Sequence, residues 1–144
     1  MVGLGPGDDR WVTAHTLGLI DAAAVRFVRT RHHPSGHLVG PDATSFDDVY
    51  DAADTFTDVY ATIVERLVAA ANEHGHVLYA VPGSPLVLER TVARLRTDPR
   101  IDCSVAPAIS FLDLAYERLG IDPVEASVKL VDGHEFTQAA AGYG

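Results

Sequence analysis

Met1-Val2-Gly3-Leu4-Gly5-Pro6-Gly7-Asp8 reads as the end of a buried strand running into a glycine-rich turn. Glycine at every second position leaves the main chain bare where it turns, tolerates positive φ and lets a ligand approach the backbone. Asp9 or Thr13 is placed to cap a helix that follows. A strand, a glycine turn and a helix N-terminus together make a site for an anionic or polar ligand, although such turns also serve tight packing alone.

The same punctuation recurs downstream. Thr13 to Ala24 has Leu17, Ile20 and Ala24 at helical spacing, and Val25 to Thr30 alternates apolar and polar residues as a short strand does. Arg31-His32-His33-Pro34-Ser35-Gly36-His37 reads as an exposed polar loop, its three histidines inviting a metal reading that no nearby cysteine supports. Ser45 is placed as the N-cap of one long helix, Phe46 to about Glu73, which Gly75 ends. Asp47-Asp48-Val49-Tyr50-Asp51 matches the DDxxD pattern of magnesium–diphosphate sites. At about 100° per residue, however, Asp47, Asp51, Asp54 and Asp58 fall in roughly a 60° stripe. Val49, Phe56, Tyr60, Ile63 and Leu67 lie opposite, so the reading is a solvated acidic face on an amphipathic helix.

His76 to Val81 is an almost continuous apolar run, expected of a central parallel strand covered on both faces. It stops at Pro82-Gly83-Ser84-Pro85, before a helix predicted over Leu86 to Arg96. Ile101 to Ala106 reads as a further strand, Pro107-Ala108-Ile109-Ser110 as a third turn, and Phe111 to Leu119 as a helix closed by Gly120. Val128 to Val131 is a weaker candidate strand, and the alanine-rich tail from Ala139 carries no assignment. Strands alternating with helices predict an α/β fold, a mainly parallel sheet with flanking helices. In such sheets ligands bind beyond the carboxyl ends of the strands, where all three turns fall.

Composition sets bounds on function. The chain has 144 residues, 47% hydrophobic and 22% charged, which suits one domain's worth of core. A net charge of −9, with Lys129 the sole lysine, argues against nucleic-acid binding. The single cysteine, Cys103, excludes an internal disulfide and fits a reducing compartment. No apolar run approaches the roughly 20 residues that span a bilayer, and no leader is present, so the expectation is a cytoplasmic protein without membrane contact.

Taken together, Gly3-Leu4-Gly5-Pro6-Gly7-Asp8 with Thr13, Val81-Pro82-Gly83-Ser84-Pro85 and Pro107-Ala108-Ile109-Ser110-Phe111 resemble the tetrapyrrole (corrin/porphyrin) methylase family. The nearest resemblance is to the methylase-like N-terminal domain fused to MazG nucleotide pyrophosphohydrolases. Arg29-Thr30 with His33-Pro34, Ser45 to Tyr50, Phe56 to Tyr60 and Leu119 to Pro123 add to it, and it runs from residue 1 to about 136. The resemblance implies S-adenosylmethionine held in a cleft between two α/β lobes, methyl transfer to carbon of a tetrapyrrole-like acceptor, and a homodimer. It also implies that a MazG hydrolase domain can share the longer chain. The residues it assigns to the cofactor are Gly5, Pro6 and Gly7, then Pro82, Gly83 and Ser84, then Ser110 and Phe111. On this reading residues 1–84 form the first lobe and 85–144 the start of a second, incomplete one. Many active members carry Asp where this chain has Ser84.

Methyl transfer from a sulfonium is an in-line displacement with an activated leaving group. It needs positioning and desolvation more than a metal or a covalent nucleophile. No metal site and no catalytic residue is assigned; Asp8 and His33 are candidate general bases if one is needed. Ser84 lacks the G-x-S-x-G setting of a nucleophile elbow. Two other readings stand beside this one. One is a non-catalytic module that binds S-adenosylmethionine or scaffolds a fused hydrolase. The other is a dinucleotide-binding oxidoreductase, for which Asp8 occupies the third glycine position and the second strand ends in Arg29-Thr30-Arg31 instead of an acid.

Overall fold

Leu78-Tyr79-Ala80-Val81 forms β4 (Leu78–Val81), and all four of its residues are buried. The computed structural model describes residues 1–141 and divides by internal contacts into two units, Met1–Phe111 and Leu112–Gly144. In the first unit β4 lies between β1 (Val2–Gly3) and β2 (Arg26–Val28), and β3 (Thr44–Ser45) completes a parallel sheet of order β1-β4-β2-β3. Val2 pairs with Ala80, and Phe27 with Tyr79.

Side chains alternate across the sheet. Tyr79 and Val81 face one apolar cluster, while Leu78 and Ala80 face another. The first cluster is closed by α3 (Phe56–His74), whose Val59, Ile63 and Leu67 recur every fourth residue, and by Val92 and Leu95 of α4 (Arg90–Leu95). Phe46 stacks on Phe27 at 5.5 Å and meets Tyr79 edge-on at 5.8 Å. The second cluster is closed by Ile20 of α1 (Ala14–Ala22), with Ala23, Val39 and Ala43. Helical cover on both faces is why the central strand reads as unbroken apolar sequence. Gly75 ends α3 at φ 75°, its N–H donating to the Ala71 carbonyl at 2.8 Å.

Several predicted elements differ. The single helix over Phe46 to Glu73 is two helices, α2 (Asp47–Ala52) and α3, separated by extended Ala53 and Thr55. Thr55 starts the second: its hydroxyl oxygen accepts the Asp58 N–H at 3.2 Å and its hydroxyl donates to the Asp58 carboxylate at 2.5 Å, a reciprocal cap. The break disperses the acidic stripe over two helices and leaves Phe56, assigned to the apolar side, 69% exposed. Ser45 ends β3 and is not the helix cap, though its side chain still accepts the Asp47 N–H at 3.0 Å.

The helix predicted from Leu86 begins only at Arg90, because Leu88 takes a left-handed φ of 55°. Ile101 to Ala106 forms no strand. It runs along the free edge of β1, where the Met1 amino group donates to the Ser104 carbonyl at 2.7 Å and the Ala106 N–H to the Met1 carbonyl at 2.9 Å. Those two bonds are one parallel pairing, too short for a ladder. In the second unit, α5 (Phe111–Leu119) closes at Gly120, φ 64°, as predicted. Val128 to Val131 forms no strand and follows Ser127, left-handed at φ 51°. A short α6 (Phe136–Ala141) ends the described chain, and no described residue of Leu112–Gly144 is buried. Among the described residues no helix is long and apolar enough to cross a membrane.

Removing the cap that starts α3 isolates its contribution. Thr55→Ala lowers unfolding free energy by about 1 kcal/mol, read from urea denaturation followed by circular dichroism.

Candidate functional site

The carboxyl edge of the sheet has one place where neighbouring strands part company. β1 connects past β4 to β2, whereas adjacent β4 connects the other way, to the 101–106 segment beside β1. Adjacent strands whose connections diverge leave a crevice at their carboxyl ends. The first and second glycine turns emerge there together. Gly5 and Gly83 exchange both backbone hydrogen bonds, the Gly83 N–H to the Gly5 carbonyl at 2.8 Å and the Gly5 N–H to the Gly83 carbonyl at 3.2 Å.

Gly3 is the point at which all three turns meet. A Cβ there would lie 2.2 Å from the Gly83 carbonyl oxygen, 2.5 Å from Ala108 Cβ and 2.8 Å from Pro85 Cδ. Absence of a side chain at Gly3 is therefore a packing requirement. Gly5 is as tightly held, with φ 71° and a Cβ position 2.5 Å from the Trp11 carbonyl oxygen. Gly83 is different: it has φ 64°, and nothing lies within 4 Å of where its Cβ would be. Gly83 thus presents bare main chain to open space.

Loop residues brace the first turn from outside. Fully buried Ser35 donates its hydroxyl to the Gly7 carbonyl at 2.9 Å. His33 Nδ1 accepts the Ser35 N–H at 3.2 Å, so the neutral ring carries its proton on Nε2. Burial holds the His33 imidazole below its ordinary value, with a hydrogen bond to the Gly5 backbone acting in the opposite direction. The other histidines of this loop have separate surroundings: His37 meets the Pro34 carbonyl and Asp9, and His32 is exposed. Asp8 caps the short 3₁₀ turn Asp9–Trp11 and pairs with Arg10 Nε at 2.8 Å. Thr13 caps α1 by accepting the Thr16 N–H at 3.1 Å.

The remaining sequence-assigned residues fall around this junction. Pro6 and Pro82 are half-buried; Ser84 and Ser110 are buried, and the Ser84 hydroxyl oxygen accepts the Leu86 N–H at 3.4 Å. Phe111 is exposed, and Ala108 is the residue of the third turn whose side chain reaches Gly3. Ser35, Trp11, Pro85 and Ala108 escaped sequence reasoning because their roles are contacts across the fold, without a local signature.

A polar cluster lies at the same edge. The Glu89 side chain, 3% exposed, accepts from Arg29 Nη1, and Arg29 Nε donates to the Tyr50 hydroxyl at 2.7 Å. The guanidinium also stacks over the Tyr50 ring at 5.7 Å. Burial pushes the Glu89 carboxyl up, with Arg29 pulling it back. The Tyr79 hydroxyl is buried beside them, near Thr91 but outside hydrogen-bond geometry, and has no partner among the described residues. Burial, with Glu89 adding to it, raises its pKa far above the ordinary tyrosine value. At the opposite, amino end of the sheet a cavity of about 300 Å³ is lined by Leu19, Leu67, Leu95 and Val105 among others.

Two outcomes follow from the brace and the junction. Gly3→Ala destabilises by more than about 2 kcal/mol or prevents folding, because backbone and not a mobile side chain blocks the new methyl; thermal unfolding reads this. Since the folded His33 value lies below the unfolded value near 6.5, the unfolded chain binds more protons in that window. The stabilisation from His33 is present above about pH 6.5 and is lost as pH falls through the folded value. Acidification from about pH 7.5 to about 5.5 therefore shrinks the difference in urea midpoint between wild type and His33→Gln.

This arrangement can be set beside known proteins. The uncharacterised protein YabN of Bacillus subtilis (strain 168) is 37% identical over 131 residues, which is 87% of this chain and 27% of that protein. Uroporphyrin-III-C-methyltransferase from Thermus thermophilus superposes with a TM-score of 0.61 at 25% identity, covering 84% of this chain and 50% of that one. The precorrin-6Y methylase (cbiE) of cobalamin biosynthesis from Archaeoglobus fulgidus shares the fold, with a TM-score of 0.61 at 22% identity over 84% of this chain and 57% of its own. The Thermus enzyme complexed with S-adenyl homocysteine also shares the fold, at a TM-score of 0.59 and 19% identity over 79% and 49% of the two chains. The chain thus spans about a quarter of the relative and about half of each solved structure. The family model for tetrapyrrole (corrin/porphyrin) methylases matches residues 1–139, and the chain belongs to that family.

Proposed function

We propose that this chain supplies the S-adenosylmethionine-binding part of a methyltransferase acting on a tetrapyrrole-type acceptor. The convergence of three turns at Gly3, in the crevice between β1 and β4, carries this reading. The bare main chain at Gly83 fits a ligand held by small residues and backbone groups, since a side chain would project into the open space over the turn. On this reading Gly5, Pro6 and Gly7 form one wall, Pro82, Gly83 and Ser84 a second, and Ser110 with Phe111 a third.

When bound, S-adenosylmethionine supplies a methyl group on a sulfonium, an already activated leaving group. The protein's task is then to orient donor and acceptor and to exclude water. The Gly5–Gly83 bridge fixes the spacing of two walls before any ligand arrives, and Ser35 and His33 keep the first wall from collapsing. With a ring nitrogen already accepting from Ser35, His33 is better suited to positioning than to taking a proton from substrate. We further propose a two-lobed domain, residues 1–84 forming the first lobe and 85–144 the start of the second, a homodimer, a cytoplasmic location and a MazG-type hydrolase in a longer chain.

A second reading is favoured by Ser84, which stands where many active methylases carry Asp and uses its hydroxyl oxygen locally on the Leu86 N–H. It makes the chain a non-catalytic S-adenosylmethionine-binding or scaffolding module. Calorimetric titration with S-adenosylmethionine, followed by turnover with porphyrinogen acceptors, separates the two. Binding with turnover supports the enzyme, binding without turnover on any acceptor supports the module, and no binding overturns both. In the same titration Gly83→Ala weakens affinity by about tenfold or more. Its cost to stability stays near 1–2 kcal/mol, the penalty of a left-handed alanine.

A further inference from the structure

The three-turn junction leaves the polar cluster at Arg29 without a role. Glu89 is almost wholly buried, and a buried ion pair is a weak source of stability: well-packed apolar residues of similar volume usually serve as well or better. The pair also sits at the carboxyl edge, where the Arg29 N–H donates to the Ala80 carbonyl at 2.9 Å, two residues before the second turn begins at Pro82. Glu89 closes the loop that leaves that turn, immediately before α4.

The guanidinium is held from two sides and left open on a third. Nη1 is taken by Glu89, Nε by the Tyr50 hydroxyl, and the plane is stacked over the Tyr50 ring. Nη2 has no hydrogen-bond partner among the described residues, and the Arg29 side chain remains 27% exposed. Beside it lies the buried Tyr79 hydroxyl, also without a partner. A guanidinium fixed in orientation, with free donors at the ligand edge, forms charge-assisted hydrogen bonds to a carboxylate at little ordering cost. In a chain of net charge −9 Arg29 is a fixed cation whose donors, unlike those that Arg31 gives to the Gly40, Pro41 and Ala43 carbonyls, are not all taken by backbone.

We infer that Arg29, clamped by Glu89 and Tyr50, binds a carboxylate of a reactant at the methyl-transfer site. The inference rests on the reading proposed above. The carboxylate belongs either to the amino-acid end of the cofactor or to a side chain of the acceptor.

The test uses the full chain and two variants. Arg29→Lys keeps the charge opposite Glu89 and loses the planar fork. The double variant Arg29→Met with Glu89→Leu removes both charges without stranding one, and is expected to melt at or above the wild-type temperature. Affinities are measured for S-adenosylhomocysteine, for 5′-methylthioadenosine, which lacks the amino-acid carboxylate, and for uroporphyrin III and its fully methyl-esterified form. If the cofactor carboxylate is the ligand, both variants lose about tenfold or more for S-adenosylhomocysteine and nothing for 5′-methylthioadenosine. If the acceptor is the ligand, the loss appears with uroporphyrin III and not with its ester. Should the double variant fail to fold, Arg29→Lys carries the comparison alone. Wild-type affinity in every arm that wild type itself binds overturns the role of Arg29. Failure of wild type to bind S-adenosylhomocysteine overturns instead the functional reading on which it rests.

Discussion

A missing side chain organises this protein. At Gly3 the Gly83 carbonyl, the Pro85 ring and the Ala108 methyl all come closer than any Cβ could tolerate. Three segments far apart in sequence can meet only because the first contributes bare backbone at the crossing. The reciprocal Gly5–Gly83 hydrogen bonds then hold two of those segments at one spacing. Since both bonds are between main-chain groups, the spacing does not depend on side-chain rotamers.

The sheet supplies the rigid base for that junction. β4 is buried on both faces by clusters that share no residue, so its carboxyl end is fixed from α3 and α4 on one side and from α1 on the other. Beyond it the chain is less regular: Leu88 is left-handed, Leu86 and Leu88 are exposed, and helix is regained only at Arg90. The Arg29–Glu89 pair anchors the far end of this irregular loop as the Gly5–Gly83 bridge anchors the near end. A left-handed leucine persists where its surroundings determine the backbone, and two anchors a few residues apart provide that.

Legibility in the sequence followed the range of the determining interaction. Gly75 and Gly120 were readable as helix ends because a single residue with positive φ performs the task. The central strand was readable because its apolar run reflects burial on both faces. The break between α2 and α3 was not, since the acidic stripe continued across it and masked the Thr55–Asp58 cap. Ile101 to Ala106 has strand composition yet only one pairing, through Met1 to Ser104 and Ala106.

Local chemistry by itself determined the alternation of strand and helix, the parallel sheet and the three small-residue turns, two of them at strand ends, since each rests on periodicity or on one residue's conformational freedom. Only the tertiary structure decided that the turns converge on Gly3, that Ser35 and His33 brace the first of them, and that Arg29 is clamped between Glu89 and Tyr50. These contacts join residues up to about a hundred positions apart, and no spacing rule along the chain encodes which backbone carbonyl will face which missing side chain.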